Sequence, residues 1–192
     1  MKKIFYDLET TGVDPKLHGV HEIAMMLEID GVLLAEKVFK VRPHERAIYD
    51  PAAMRTCKTT PEELKKYPPM RGVFMEIIEF LSRFIDKFEQ KDKAFLVGFN
   101  NRSFDDIFFR AFFELCGDPF FGSWFWPNTL DVMVLASQYL LERRAEMPSF
   151  KLVRVAKELG IEVDSSGLHS AAYDSYLTRE VYQIVTGIEM EL

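Results

Sequence analysis

Residues 3–12 read KIFYDLETTG, an apolar run that leads into two acids, Asp7 and Glu9. The run over residues 3–9 predicts a buried β-strand. Side chains alternate across a strand, so Asp7 and Glu9 point to one face and repel each other unless a cation or a proton intervenes. Hard divalent ions such as Mg²⁺ and Mn²⁺ prefer carboxylate oxygens. An isolated Asp-x-Glu more often marks a solvated strand end, but the Thr-Thr-Gly that follows turns the chain sharply, where α/β sheets commonly place their sites.

The rest of the sequence alternates between strand and helix patterns. Residues 21–29 and 32–41 predict two strands joined by a tight Asp30-Gly31 turn, so the chain opens with three antiparallel strands. A further strand is expected over residues 94–98. Helices are expected over residues 51–57, 61–67, 72–88, 104–116, 131–140, 150–159 and about 168–187. This order predicts an α/β domain with a mixed sheet covered on both faces.

The composition is that of a soluble protein with one core. Of the 192 residues 48% are hydrophobic, which is enough for a single domain over residues 1–192. Charges interrupt every apolar run before it could cross a bilayer, so no membrane association is expected. Cys57 and Cys116 lie far apart without metal-ligand spacing, which indicates reduced thiols and a cytoplasmic location.

The net charge of −6 argues against a broad basic surface for nucleic acid. Such an acidic excess is compatible with a nucleic-acid enzyme if it is concentrated where divalent cations neutralise it. We therefore also expect that a partner, such as a polymerase, delivers the substrate.

A second acidic motif lies in residues 97–105, VGFNNRSFD, where a strand runs into a helix with an acid in its opening turn. Asp105 and Asp106 are adjacent, so only one of them is expected to face the sheet, and the apolar residues around Asp105 favour that one. For Asp106, a favourable charge near a helix N-terminus is a sufficient explanation.

The third motif, HSAAYD, covers residues 169–174. Five residues on one helix would place His169 and Asp174 about 140° apart, so both cannot converge if both are helical. We therefore expect His169 in a loop and Asp174 inside the helix, which lets the imidazole approach a water molecule. A lone histidine more often has a surface or core role, and only the accompanying motifs favour chemistry here.

Taken in order, DLETTG at residues 7–12, FNNRSFD at 99–105 and HSAAYD at 169–174 resemble the three motifs of the DEDDh exonucleases, a family of proofreading subunits and related 3'-end trimmers. The resemblance continues through residues 21–24, 58–64 and 131–136 and so covers nearly the whole chain. The second motif departs from the family pattern, because Phe99 replaces a histidine and the loop is one residue longer. The resemblance implies a ribonuclease-H-like fold with a mixed five-stranded sheet, three antiparallel strands first, and helices on both faces.

The resemblance also implies a 3'-to-5' exonuclease that hydrolyses phosphodiester bonds at a free 3' end, with single-stranded DNA as the expected substrate. Two divalent cations, Mg²⁺ or Mn²⁺, are implied. Asp7 would bridge them, Glu9 and Asp174 would complete the first site and Asp105 would hold the second. His169 would act as general base.

The residues expected to contact the terminal nucleotide are Leu8, Thr10, Thr11, Phe99 and Asn100. For Phe99, packing beneath the sheet edge is an equal alternative to stacking on a base. The aromatic cluster of residues 120–126 is expected to pack in the core rather than to bind bases.

Two other functions stay open. The first is an exoribonuclease that uses the same metal site. It stays open because no feature of the sequence indicates that a 2'-hydroxyl is recognised or excluded. A catalytically silent binding module is the weaker alternative, because all five chemical residues are present.

Overall fold

The computed structural model describes residues 1–187. The strands, in chain order, are β1 (Lys2–Thr10), β2 (Val20–Ile29), β3 (Val32–Lys40), β4 (Ala94–Gly98) and β5 (Leu130–Asp131). The α-helices are α1 (Pro51–Thr56), α2 (Pro61–Leu64), α3 (Met70–Ser82), α4 (Asp105–Leu115), α5 (Phe121–Trp124), α6 (Val132–Tyr139), α7 (Leu152–Glu158) and α8 (Ala171–Thr186). Short 3₁₀ segments cover Asn101–Ser103 and Leu141–Glu146.

The five strands form one mixed sheet in the order β3-β2-β1-β4-β5. The first three strands are antiparallel, whereas β4 runs parallel to β1 and β5 runs parallel to β4. This arrangement confirms the predicted fold class. The fifth strand is only two residues long, and its last residue, Asp131, also caps α6 by accepting a hydrogen bond from the Met133 N–H at 3.0 Å. The sequence pattern predicted a helix from residue 131 but not the short strand before it.

The two faces of β1 belong to two different cores. Ile4, Tyr6 and Leu8 pack against α3 and α4, whereas Phe5, between them, packs against α6, α7 and α8. Helices therefore cover both faces, as predicted. Because side chains alternate along the strand, Asp7 lies on the α8 side of the sheet.

All seven predicted helices form, but each is shorter than predicted. The helix expected over residues 72–88 ends at Ser82, and Phe88 is 86% exposed instead of completing the buried stripe. Beyond the helix end, carboxylates hold the segment that was expected to be helical: Asp86 accepts the N–H of Phe88 at 3.0 Å, and Asp92 accepts the N–H of Asp86 at 2.9 Å. Such local side-chain bonds compete with helical ones. The last helix begins at Ala171 instead of about residue 168, because Ser170 caps it.

A buried ionic network fixes α8 against the sheet. Lys3 on β1 and Arg179 on α8 both donate to the carboxylate of Glu28 on β2, the Arg179 Nε at 3.1 Å. All three side chains are buried, so the pairing has to be close to offset their loss of water. The network sets the position of the helix that carries Asp174.

No helix within residues 1–187 combines the length and apolarity that a membrane crossing needs. Cys57 and Cys116 are free thiols, and the cytoplasmic location inferred from them stays a prediction. The single domain over residues 1–192 also stays a prediction, and residues 188–192 lie outside the described part.

Candidate active site

Three of the predicted acids meet on the α8 side of the sheet. Asp7 and Glu9 extend from the last part of β1, and Asp174 extends from the first turn of α8. Each of these side chains offers an oxygen within 4.8 Å of the other two. The alternation of β1 places its two acids on one face, and the packing of α8 across that face brings in the third.

Asp105 borders this group. It is the first residue of α4, is 5% exposed, and accepts a hydrogen bond from the backbone N–H of Leu8 at 3.1 Å. Its charge is the largest electrostatic contribution, after burial, to the raised pKa of Asp7. The structure therefore brings all four predicted acids to one end of β1, three within ligand distance of one another and Asp105 beside Asp7.

Burial raises the pKa of every acid in this group, and repulsion by neighbouring acids adds to this effect for Asp7, Glu9 and Asp105. Burial is the main cause in each case. The pKa of Glu9 rises to about 7, although a hydrogen bond from Cys57 lowers it in part. The pKa of Asp105 rises to about 8, although the N–H of Leu8 lowers it in part. The pKa of Asp7 lies well above its ordinary value, because Asp105, Glu9 and Asp174 add to the effect of burial.

This donor set fits a hard divalent cation. It consists of carboxylate oxygens, the ligands that Mg²⁺ and Mn²⁺ prefer. The raised pKa values mean that these carboxyl groups hold their protons more tightly than usual. A cation would displace the protons, because carboxyl ligands must be deprotonated to bind a metal. Cation binding would thereby relieve the repulsion that raises these pKa values.

His169 lies in the loop immediately before α8, as expected. Its side chain is exposed, and its backbone φ of 64° lies in the left-handed region that few residues other than glycine adopt. Ser170 follows as the N-cap and accepts the N–H of Tyr173 at 3.3 Å. The pKa of Asp174 is raised by burial and lowered in part by the charge and the backbone N–H of His169. The imidazole therefore lies at the edge of the acid cluster.

Two site residues were missed in the sequence. Glu22 lies directly opposite Glu9 in the antiparallel pair of β1 and β2, and it accepts the N–H of Ala171 at 3.2 Å, so it holds the start of α8 beside the acids. The strand register could have identified it, since paired residues share a face. Cys57, at the end of α1, donates its thiol to Glu9 at 2.9 Å. Nothing in the sequence indicated this contact, because it depends on where α1 packs.

The expectation for Asp106 was wrong. Asp106 is 7% exposed, and its two carboxylate oxygens accept hydrogen bonds from the hydroxyls of Tyr6 and Thr129. It is therefore a buried, fully bonded side chain and not merely a favourable charge at a helix N-terminus. Adjacent residues on a helix point about 100° apart, so both Asp105 and Asp106 can turn inwards toward different partners.

Three of the predicted substrate residues have buried side chains. Leu8 is 4% exposed and packs in the core. The Thr10 hydroxyl donates to the Gly12 carbonyl at 2.7 Å. The Thr11 hydroxyl donates to the Ile48 carbonyl at 2.6 Å and accepts the N–H of Gly19 at 2.9 Å. The structure thus does not bring these side chains to the surface of the site, and the two threonine hydroxyls instead hold the turn that ends β1.

The other two predicted substrate residues are half-buried at the end of β4. Phe99 packs against the core on the α8 side, which supports the alternative of sheet-edge packing. Asn100 adopts a left-handed conformation, and its N–H donates to Asp131 at 3.0 Å. In the aromatic cluster, Trp124 and Phe125 are buried as expected, whereas Phe120 is exposed.

Comparison with known proteins agrees with this geometry. Residues 4–182 match the protein-family model described as Exonuclease. The chain is 28% identical over 197 residues to a Ribonuclease T of Shewanella frigidimarina, covering 95% of this chain and 80% of that protein. It is also 28% identical over 191 residues to a DNA polymerase III subunit epsilon of Rickettsia felis, covering 97% of this chain and 75% of that protein.

Solved structures share the fold. The crystal structure of Escherichia coli exonuclease I in complex with a dT13 oligonucleotide superposes with a TM-score of 0.76 at 22% identity, over 96% of this chain. This chain spans only 41% of the length of that protein.

The chain therefore belongs to the exonuclease family. It carries a 3'-to-5' exonuclease domain of the DEDDh type, that is, a hydrolase of phosphodiester bonds in nucleic acid.

Proposed function

We propose that this protein removes nucleotides one at a time from the 3' end of single-stranded DNA, with two divalent cations and His169 as general base. The observation that carries the proposal is the convergence of Asp7, Glu9 and Asp174 within 4.8 Å of one another, with Asp105 alongside. A cluster of half-buried acids with raised pKa values is unfavourable unless the site uses it, and carboxylates of this kind are suitable ligands for divalent cations.

The chain divides the cation ligands between two positions. Asp7 lies close to all three other acids, since the charges of Asp105, Glu9 and Asp174 all add to the effect of burial on its pKa. This supports Asp7 as the ligand shared by both cations, Glu9 and Asp174 as ligands of the first and Asp105 as a ligand of the second. When bound, such a pair of cations stabilises the attacking and leaving oxygens of an in-line displacement at phosphorus.

His169 is suited to accept the proton of the attacking water. It lies on an exposed loop next to Asp174, so its imidazole is free to move toward a water molecule near the acid cluster. An imidazole nitrogen can accept this proton, which is the role of a general base. The water adds to phosphorus as its proton passes to the imidazole, and the bond to the 3' oxygen of the preceding nucleotide breaks.

Substrate contact is proposed at Phe99 and Asn100, which lie half-buried where β4 ends beside β1. The backbone of the turn after Glu9 forms the opposite wall. Single-stranded DNA is favoured as substrate by the fold shared with exonuclease I, which is described with a bound dT13 oligonucleotide. A polymerase partner is suggested by the similarity to a DNA polymerase III subunit epsilon, together with the net charge of −6.

An RNA substrate is the second candidate, because the similarity to Ribonuclease T covers 95% of the chain at the same identity as the polymerase subunit. Matched DNA and RNA oligonucleotides with 5' labels distinguish the two. Faster shortening of DNA supports the first proposal, and shortening of RNA alone replaces it with the second.

Asp7→Asn tests the function itself. The wild type is expected to shorten a 5'-labelled oligonucleotide base by base in the presence of Mn²⁺. Because Asp7 is the proposed shared ligand, the rate of this digestion is expected to fall at least about a thousand-fold in the variant. Its circular dichroism should match the wild type, and Asp30→Asn, an exposed aspartate in the β2–β3 turn, is the matched control. Undiminished digestion by Asp7→Asn contradicts the proposal. A wild-type protein that binds no Mn²⁺ and leaves every oligonucleotide intact would instead favour a silent binding module.

A further inference from the structure

We propose that Asp106 is a positioning residue that, with the hydroxyls of Tyr6 and Thr129, fixes the start of α4 and thereby the carboxylate of Asp105. We call these three side chains the Asp106 clamp. The inference rests on the proposed function, since it takes Asp105 to be a ligand of the second cation.

Both oxygens of the Asp106 carboxylate are used. The Tyr6 hydroxyl, on β1, donates to Oδ1, and the Thr129 hydroxyl, directly before β5, donates to Oδ2 at 2.8 Å. Tyr6 is fully buried and Thr129 is half-buried. Burial and the nearby acids hold the pKa of Tyr6 well above its ordinary value, so its hydroxyl stays a donor. The clamp therefore joins α4 to β1 and to the segment before β5.

The first turn of α4 lacks the side-chain hydrogen bond that commonly caps a helix N-terminus. Its N-cap residue is Phe104, which makes no side-chain capping hydrogen bond. Helix starts usually receive such a bond from Ser, Thr, Asp or Asn, and its loss typically costs about 0.5–2 kcal/mol. Here β1 holds the helix start at two points, through the Tyr6 hydroxyl on Asp106 and the Leu8 N–H on Asp105.

Burying the Asp106 carboxylate next to that of Asp105 is electrostatically unfavourable. A residue whose only role was to stabilise the helix N-terminus would not need to be buried there. Asp105 and Asp106 are adjacent and both are buried, at 5% and 7% exposed, so two carboxylates lie near each other away from water. An exposed aspartate would interact with the helix N-terminus equally well without this repulsion. The clamp explains the arrangement, because a buried carboxylate with two directed hydroxyl donors defines the orientation of the adjacent residue more closely than an exposed one.

Thr129→Val and Thr129→Ser form the test pair. Valine has the shape of threonine without the hydroxyl, whereas serine retains the hydroxyl. Loss of such a contact behind a metal ligand typically weakens metal affinity or activity about 10–100-fold. We expect Thr129→Val to weaken the second of two Mn²⁺ sites by about tenfold or more and to lower kcat similarly, with KM for the oligonucleotide unchanged. Thr129→Ser should recover most of both.

Mn²⁺ binding is measured by electron paramagnetic resonance and calorimetry on the full chain. Thr186→Val, which removes a threonine hydroxyl from the far end of α8, is the matched control and should keep wild-type affinity. If Thr129→Val does not fold, Tyr6→Phe removes the other donor and is read in the same way. In an Asp105→Asn background, Thr129→Val should leave the affinity of the remaining Mn²⁺ site unchanged, because the clamp acts through Asp105.

The outcomes separate the two proposals. A wild-type protein that binds fewer than two Mn²⁺ ions contradicts the two-cation function. A wild type with two sites, together with folded Thr129→Val and Tyr6→Phe variants that keep its second-site affinity and kcat, overturns the clamp alone. A loss in Thr129→Val that serine does not restore also overturns it, since the hydroxyl would then not be the group that matters.

Discussion

Glu9→Gln should stabilise the metal-free protein at alkaline pH, although it removes a proposed metal ligand. In the folded protein the pKa of Glu9 is about 7, against an ordinary value of 4.5, mainly because the side chain is buried. The folded state thus binds this proton more tightly than the unfolded state does. The stabilising contribution is complete below about pH 4.5 and is lost as the pH rises through 7, where the buried carboxylate must ionise. Glutamine never ionises and avoids this loss.

The size of the effect follows from the shift in pKa. A difference of one pKa unit corresponds to about 1.4 kcal/mol, so the shift of Glu9 amounts to roughly 3 kcal/mol at high pH. At pH 5 only about 1 kcal/mol of this loss has occurred, so the advantage of Glu9→Gln should grow by about 2 kcal/mol between pH 5 and pH 8.5. For a chain of this length that corresponds to roughly 4–8 °C in Tm. The Cys57 thiol can still donate to the amide oxygen of glutamine, so this contact is retained.

The assay is thermal unfolding followed by circular dichroism in EDTA, with Glu45→Gln, at an exposed position, as the control for the loss of one charge. In saturating Mn²⁺ the order should reverse, because a ligand that binds the folded state stabilises it and the variant has lost one donor. If Glu9→Gln is less stable than the wild type in EDTA at pH 8.5, the acids are not held together against their repulsion, and the reasoning for a cation site fails.

Two further predictions concern the base and the anchoring of α8. In saturating Mn²⁺, His169→Ala should lose roughly 10²–10⁴-fold in kcat, because the variant lacks the group that accepts the proton of the attacking water. A variant that keeps the wild-type kcat would remove His169 as the base. Glu28→Gln removes the charged carboxylate that the buried side chains of Lys3 and Arg179 share, and we expect the free energy of unfolding to fall by about 3 kcal/mol or more. Urea unfolding measures this loss, and a midpoint equal to that of the wild type would show that the network does not hold α8.

The sequence predicted those features of the structure that depend on interactions between residues close together in the chain. The alternation in residues 3–9 predicted that Asp7 and Glu9 share a face, and the strand over Ala94–Gly98 was predicted with its correct ends. The spacing of residues 169–174 predicted a loop before a helix, because a helix could not have turned both His169 and Asp174 the same way. Strand and helix periodicity, turn residues and caps all act over a few residues, so they can be recognised without the rest of the chain.

Contacts between distant segments could not be predicted in this way. Glu22 joins the site through the register of β1 with β2, Cys57 through the packing of α1, and Asp106 through hydroxyls 100 and 23 residues away along the chain. The sequence by itself determined which acids could act and on which elements they lie. Only the tertiary structure decided that they meet, how strongly burial raises their pKa values and which neighbours hold them, because burial and distance depend on how the helices pack on the sheet.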